Sequence, residues 1–248
     1  MFGQSLVPQQ PLEWFVLVVT VLYLLGIGWF LSGMRRVRGS QVEQPFVSVV
    51  IAARDEADRI VACLQRLAAQ EYPNYEILVV DDGSRDGTPA LVEELAEDNG
   101  RLRLLKSAEG GSKKAALALG IAAAEGEIIA TTDADCLVGS GWLQGMVAQC
   151  EDDVGMVIGF SQIGSDSVRT GVRGSYETID FLNLMACIWG SSGHGHPMAA
   201  SGQNLLFRRR AYDDVDGYQR VLHRASGDDV LLMQDRKSTR LNSSHQII

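Results

Sequence analysis

Positive charge is scarce in this 248-residue sequence: 22 Lys and Arg stand against 31 Asp and Glu, a formal net charge of −9 with a pI near 4.9. Binding a nucleic-acid backbone by counterion release requires basic patches, so no nucleic-acid partner is expected. Cysteine pairs are missing too. Cys63, Cys136, Cys150 and Cys187 form no CxxC and keep no regular spacing, which argues against a disulfide framework and a zinc site and favours a reducing compartment. Internal repeats and low-complexity tracts are absent. Gly110-Gly111-Ser112-Lys113 lacks the spacing of a phosphate-cradling P-loop, so an ATPase is unsupported. His194-Gly195-His196 has no third ligand nearby in sequence, so it makes a poor metal pair. What remains, at 46% hydrophobic and 21% charged residues, suits one globular domain plus an extra apolar segment. An acidic enzyme whose anionic substrate is bridged by a metal fits that balance.

Charge is absent altogether from Trp14 to Leu31, a run whose helical length of about 27 Å matches a bilayer's hydrocarbon core. Trp14 and Trp29 lie near its two ends, and Arg35, Arg36 and Arg38 follow on what should be the cytoplasmic side. Glu13 is the only charged side chain before Arg35, unlike the basic start of a cleaved signal peptide. The expected layout is a tail at 1–13, a transmembrane helix at 14–32 with membrane lipid as partner, a linker at 33–45 and a cytoplasmic domain at 46–234. Residues Asp235 to His245, DRKSTRLNSSH, resemble one reading frame of a common sequencing-adapter oligonucleotide and continue no apolar pattern. The stretch 235–248 is therefore expected to be non-native, with the natural chain continuing past Gln234.

Between these ends the pattern alternates. Phe46 to Ala52 is a continuous β-branched run, as expected of a parallel strand buried on both faces. Ile60, Leu64, Leu67 and Ala68 recur at helical spacing, and Tyr75 to Val80 gives a second strand. Thr88 is expected to cap the next helix, with Pro89 at its first position and Leu91, Val92 and Leu95 on its apolar face. Arg101 to Leu105 reads as a strand, Ser112 as the cap of a helix carrying Leu117, Ile121 and Ala124, and Glu127 to Thr131 as a further strand. Tyr176 to Trp189 reads as a packed or membrane-facing helix. Strand–helix alternation predicts an α/β fold: a mainly parallel sheet flanked by helices, with ligands at the carboxyl ends of the strands.

Three acidic groups sit where such ligands would bind. Asp81 and Asp82 end the second strand and can accept bonds from a ribose hydroxyl or a base N–H, or simply build a turn. Asp133-Ala134-Asp135 follows the strand ending at Thr131; it is either a surface turn or a pair of hard oxygen ligands for Mg²⁺ or Mn²⁺. Asp228 and Asp229 precede an apolar helical run, as a cap or as a general base.

Taken in order, Val47 to Glu56 (VSVVIAARDE), VVDDGSRDGT, a lysine-bearing helix start, TTDADC and SGDDVLLM resemble family 2 glycosyltransferases of the Rossmann-like GT-A fold over residues 45 to 234. The resemblance implies a donor cradle of Ala52, Arg54, Glu56, Asp81 and Asp82, with a UDP-sugar as the expected nucleotide-sugar. Asp133 and Asp135 match the family's DxD, Asp133 toward the donor and both toward the metal; Lys113 or Lys114 matches a lysine near the donor. Asp229, or alternatively Asp228, matches the catalytic base of an inverting transfer to a glycan or lipid-linked acceptor at the cytoplasmic membrane face, as in bacterial β-polysaccharide synthases. The segment Ala200 to Arg210 resembles the acceptor-side stretch, a small-residue turn followed by a strand and a basic helix start, with Gln203 and Asn204 as candidate sugar contacts or else as parts of an ordinary loop and strand. Two departures stand out: Asp216-Gly217 where a paired glycine is usual, and Lys113 in place of a glycine. Nucleotidyl transfer, or an inactive truncated membrane-bound remnant, are the competing readings.

Overall fold

The computed structural model describes residues 10–35, 44–107, 111–151, 154–163, 172–220 and 246–247. An N-terminal helix α1 (Pro11–Met34) precedes β1 (Val47–Ala53), α2 (Ile60–Ala68), β2 (Tyr75–Asp81), α3 (Thr88–Asp98), β3 (Leu102–Lys106), α4 (Lys113–Ala123) and β4 (Ile128–Thr132). Then follow α5 (Trp142–Ala148), β5 (Met156–Ile158), α6 (Val172–Ser192), β6 (Asn204–Arg208), α7 (Arg209–Asp213), a 3₁₀ turn at Gly217–Arg220 and β7 (Gln246–Ile247). The strands form one sheet in the order β3-β2-β1-β4-β6-β5-β7. β1 pairs in parallel with β2 and β4, and β2 with β3, while β6 runs antiparallel to both β4 and β5. The parallel half follows from the strand–helix alternation. β6, which follows α6, enters between β4 and β5 in the opposite direction. β7 lies within the stretch 235–248 and pairs in parallel with β5.

Alternate residues of the central strand feed two cores, as a period of two requires. Val47, Val49 and Ile51 pack with Ile60, Leu64, Leu67 and Val92 on one face. Val50 joins Leu78, Leu117, Ile121, Ile129, Met185 and Ile188 on the other. Gly120 lets α4 lie directly on the sheet: a Cβ there would stand 2.4 Å from a Val50 methyl and 2.9 Å from one of Val80. Any side chain would push the helix off its core.

The cap of α3 differs from expectation. Gly87 occupies the cap position and Thr88 is already helical, because Asp86 accepts from both the Thr88 N–H (3.0 Å) and its hydroxyl (2.6 Å). Ser112 does cap α4, accepting from the Ala115 N–H at 3.4 Å. The strand expected at 46–52 starts and ends one residue later, as do those expected at 101–105 and 127–131.

α1 is long and apolar enough to cross a membrane, and most of its large side chains, from Leu12 to Leu31, are exposed. Its last turns meet the end of α6 at backbone contact: a Cβ on Gly33 would lie 1.9 Å from the Gly190 carbonyl oxygen, and one on Gly190 2.5 Å from that of Phe30. Trp29 stacks on His194 with ring centroids 4.4 Å apart, and the His194 Nε2 lies 2.8 Å from the Trp29 carbonyl oxygen and 3.0 Å from the Ser32 hydroxyl. Small residues and one histidine thus join α1 to the domain.

Candidate active site

A cleft of about 350 Å³ opens at the carboxyl ends of β1, β2 and β4, lined by Ala52, Arg54, Glu56, Asp82, Lys113, Asp133 and Asp135 among others. Seven of the residues singled out from the sequence meet there. Parallel strands deliver them, since each strand's last residue and the loop after it end at the same edge of the sheet.

Two loops form one wall. The loop after β1 is held to the loop after β2 by the Asp55 N–H on the Ser84 hydroxyl (3.0 Å), the Glu56 N–H on Thr88 Oγ1 (2.9 Å) and the Ala57 N–H on Asp86 Oδ2 (3.0 Å). The return bond runs from the Arg85 N–H to Asp55 Oδ1 at 2.7 Å. Asp55 adopts a left-handed backbone, φ 55°, which these bonds stabilise. Hydrogen bonds from Thr88 and Ala57 hold the Asp86 carboxyl below the usual carboxylate range. No sequence motif pointed to Ser84, Asp86 or Thr88 as ties between two loops; each bond joins residues about thirty positions apart.

Asp81 and Asp82 go different ways. Asp81 turns back to accept from the Ser84 N–H at 3.2 Å and does not line the cleft. Asp82 lines it, accepting from the Ser107 hydroxyl at 2.9 Å with the Arg54 guanidinium 3.9 Å away. Lys114 is buried on α4 and absent from the lining, whereas Lys113 reaches across to Asp133 Oδ1 at 2.5 Å. Asp135 Oδ2 lies 3.6 Å from Arg59 Nη1.

The lining carries four carboxylates, Glu56, Asp82, Asp133 and Asp135, against two cations, Arg54 and Lys113. Burial first, and then Asp135 and Asp133, push the Glu56 carboxyl above its ordinary value. A negative cleft of this kind repels a diphosphate unless a cation comes with it. The donor set, hard carboxylate oxygens two residues apart, fits Mg²⁺ or Mn²⁺ shared with phosphate oxygens. No group of three or more His, Cys, Asp or Glu able to hold an ion by itself occurs among the described residues.

The proposed acceptor residues lie on the strand that borders β4. Asn204 opposes Thr132, and its amide is engaged within the fold: Oδ1 accepts from Trp142 Nε1 at 2.9 Å, and Nδ2 donates to the Phe160 carbonyl at 3.1 Å and the Ser161 hydroxyl at 3.3 Å. Both amide hydrogens are spent internally. Gln203, half-buried in the preceding turn, carries no such set of bonds. Neither lines the cleft. Arg208 and Arg209, the basic start of α7, bond main-chain carbonyls of Val154, Cys150 and Glu151, and of Gly126, Ile121 and Ala124 respectively. Asp228 and Asp229 lie outside the described residues.

The architecture is that of GT-A enzymes. The structure superposes on a mannosyltransferase from Pyrobaculum calidifontis solved in complex with GDP-Man and Mn²⁺, with a TM-score of 0.70 at 23% identity over 94% of this chain and 65% of that one. Residues 48–215 match the family model described as glycosyl transferase family 2, and the chain belongs to that family. It is 39% identical over 195 residues to the glycosyltransferase AglE of Haloferax volcanii, covering 75% of this chain and 59% of that protein. It is 31% identical over 213 residues to the β-monoglucosyldiacylglycerol synthase of Trichormus variabilis, covering 81% and 44%. The chain thus spans about half the length of these curated relatives.

Proposed function

We propose that the protein transfers a sugar, with inversion, from a nucleoside-diphosphate donor to a glycan or lipid-linked acceptor at the cytoplasmic face of a membrane in which α1 is the anchor. The observation that carries this is the convergence of Arg54, Glu56, Asp82, Lys113, Asp133 and Asp135 on one cleft at the ends of three parallel strands. Asp82, backed by Ser107 and Arg54, is the acceptor for a ribose hydroxyl or base N–H. Lys113 is placed to leave Asp133 for a phosphate oxygen, exchanging one anion for another. Asp133 and Asp135 would hold the divalent ion, which supplies charge stabilisation as the diphosphate departs. Asp229 takes the acceptor proton in this scheme, a step worth about 10² to 10⁴ in rate. The family resemblance favours UDP as the nucleotide; the similar mannosyltransferase was solved with GDP-Man, so both donors belong in the assay. An apolar helix longer than the expected 14–32 span supports the anchor, and the family match over residues 48–215 lies within the expected domain at 46–234.

The experiment is product analysis on the membrane-inserted protein with Mn²⁺ and UDP- or GDP-sugars. Nucleoside diphosphate should accumulate, and Asp135→Ala should lose Mn²⁺-dependent turnover by more than about a hundredfold. Release of pyrophosphate without nucleoside diphosphate would instead establish nucleotidyl transfer.

A further inference from the structure

At the rim of the cleft stands a cation whose position none of the donor-binding roles uses. Arg59 stands at the cap of α2 with a non-helical backbone, φ −125° and ψ −31°. Its Nη1 lies 3.6 Å from Asp135 Oδ2 and 3.8 Å from Glu56 Oε2, and its side chain is 63% exposed. Lys113 meets Asp133 at hydrogen-bond distance. Arg59 does not: both of its contacts are ion pairs longer than a hydrogen bond, and both reach from the outer rim rather than from the cleft lining. Each carboxylate of Asp133-Ala134-Asp135 therefore has its own positive partner, one held tightly from within and one loosely from outside.

We infer that Arg59 is a built-in counterion that competes with the divalent metal for Asp135. The inference rests on Asp133 and Asp135 being the metal ligands. Without the metal, the guanidinium offsets the repulsion among Asp135, Asp133 and Glu56. With it, two positive groups would share one carboxylate, and the exposed, long-armed guanidinium is the one free to withdraw into water. Its charge lowers the affinity of the site for the ion. The affinity is thereby set low enough that the diphosphate, supplying the remaining oxygens, decides when metal is retained. Arginine suits this use because it stays charged at every working pH.

The test is a Mn²⁺ titration of the full chain in detergent, followed by the electron paramagnetic resonance of free Mn²⁺, with and without UDP. Arg59→Gln should bind Mn²⁺ about three- to tenfold more tightly than the unmodified protein, the effect of losing one loosely held, exposed unit charge beside a divalent ion. The gain should shrink as salt rises from about 0.05 M to about 0.5 M, since the Debye length falls from above 10 Å toward a few ångströms. Arg59→Lys should stay close to the unmodified affinity. Unchanged or weaker Mn²⁺ binding in Arg59→Gln, with binding abolished in Asp135→Ala, would overturn the counterion role and leave the metal site standing. Weaker UDP binding by metal-free Arg59→Gln would overturn it in favour of a diphosphate contact. Unaltered Mn²⁺ affinity in Asp135→Ala, with or without UDP, would remove the metal site and the inference together.

Discussion

Replacing Arg209 with methionine separates an acceptor-site role from a purely structural one. The guanidinium donates from Nε to the Gly126 carbonyl (3.0 Å), from Nη1 to that of Ile121 (2.9 Å) and from Nη2 to that of Ala124 (2.7 Å). These oxygens lie at the end of α4 and in the turn leading into β4, where a helix has no N–H groups of its own to offer. Methionine fills similar volume but leaves all three without the arginine. Bonds from a charged donor contribute about 1.5–3 kcal/mol each when buried, but water can reach this half-exposed turn, so about 1 kcal/mol apiece is the appropriate scale. The favourable charge at the helix end adds a few tenths of a kcal/mol. The sum is about 3 kcal/mol, a large share of the 5–15 kcal/mol that typically holds a domain together. Urea unfolding in detergent, followed by circular dichroism, should show that loss as a lower midpoint at unchanged slope. Arg209→Lys should recover about 1 kcal/mol, having a single point of donation in place of a fork. Nucleotide affinity of the folded variant should be unaltered, because Arg209 contacts no residue of the cleft lining. A loss below about 0.5 kcal/mol combined with an impaired acceptor KM would refute this reasoning and put Arg209 at the acceptor.

Glu56→Gln should raise thermal stability at pH 7. Burial, and then the neighbouring Asp135 and Asp133, hold the Glu56 carboxyl above its ordinary value in the folded state, so the native state favours the protonated form and the ionised form opposes folding at neutral pH. The gain measured by scanning fluorimetry should vanish as the pH falls below about 4, where Glu56 is protonated folded and unfolded alike; a variant less stable at pH 7 would contradict this. Iodoacetamide at pH 8 should label the exposed Cys187 but not Cys63, whose thiol burial pushes up to about 12, nor the buried Cys150, until the protein is unfolded. Peptide mass spectrometry reads the order of labelling, and early loss of Cys63 would show that the core under the Asp133 loop opens.

Much of the architecture was legible because β1 and β2 are buried on both faces. Such strands leave a continuous run of β-branched residues, and their ends could be placed to within a residue. The antiparallel sense of β6 was not legible, since nothing in Asn204–Arg208 encodes strand direction. β5 and α5 are three and seven residues long, too short to display a period. Side chains whose chemistry serves two purposes were the least legible. An asparagine beside a small-residue turn suits a sugar hydroxyl and a half-buried indole equally well, and Trp142, which bonds it here, is 62 residues away. Likewise Asp86, rather than Thr88, supplies the side-chain oxygen just before α3, because its carboxylate reaches both the Thr88 N–H and the neighbouring loop.

The doublets in the sequence resolve through backbone geometry. Neighbouring side chains at a strand end point to opposite sides, so Asp81 and Asp82 cannot both enter one cleft; Asp81 folds back on Ser84 while Asp82 faces inward. Lys113 and Lys114 are successive on a helix, about 100° apart, and only Lys113 looks across at Asp133. In Asp133-Ala134-Asp135 the spacing is two, and both carboxylates line the cleft while the methyl between them joins the core beneath. Two anions on one tight turn, closed by the Cys136 N–H on the Asp133 carbonyl at 3.1 Å, then demand a cation. Lys113 and Arg59 provide it, one beside each carboxylate.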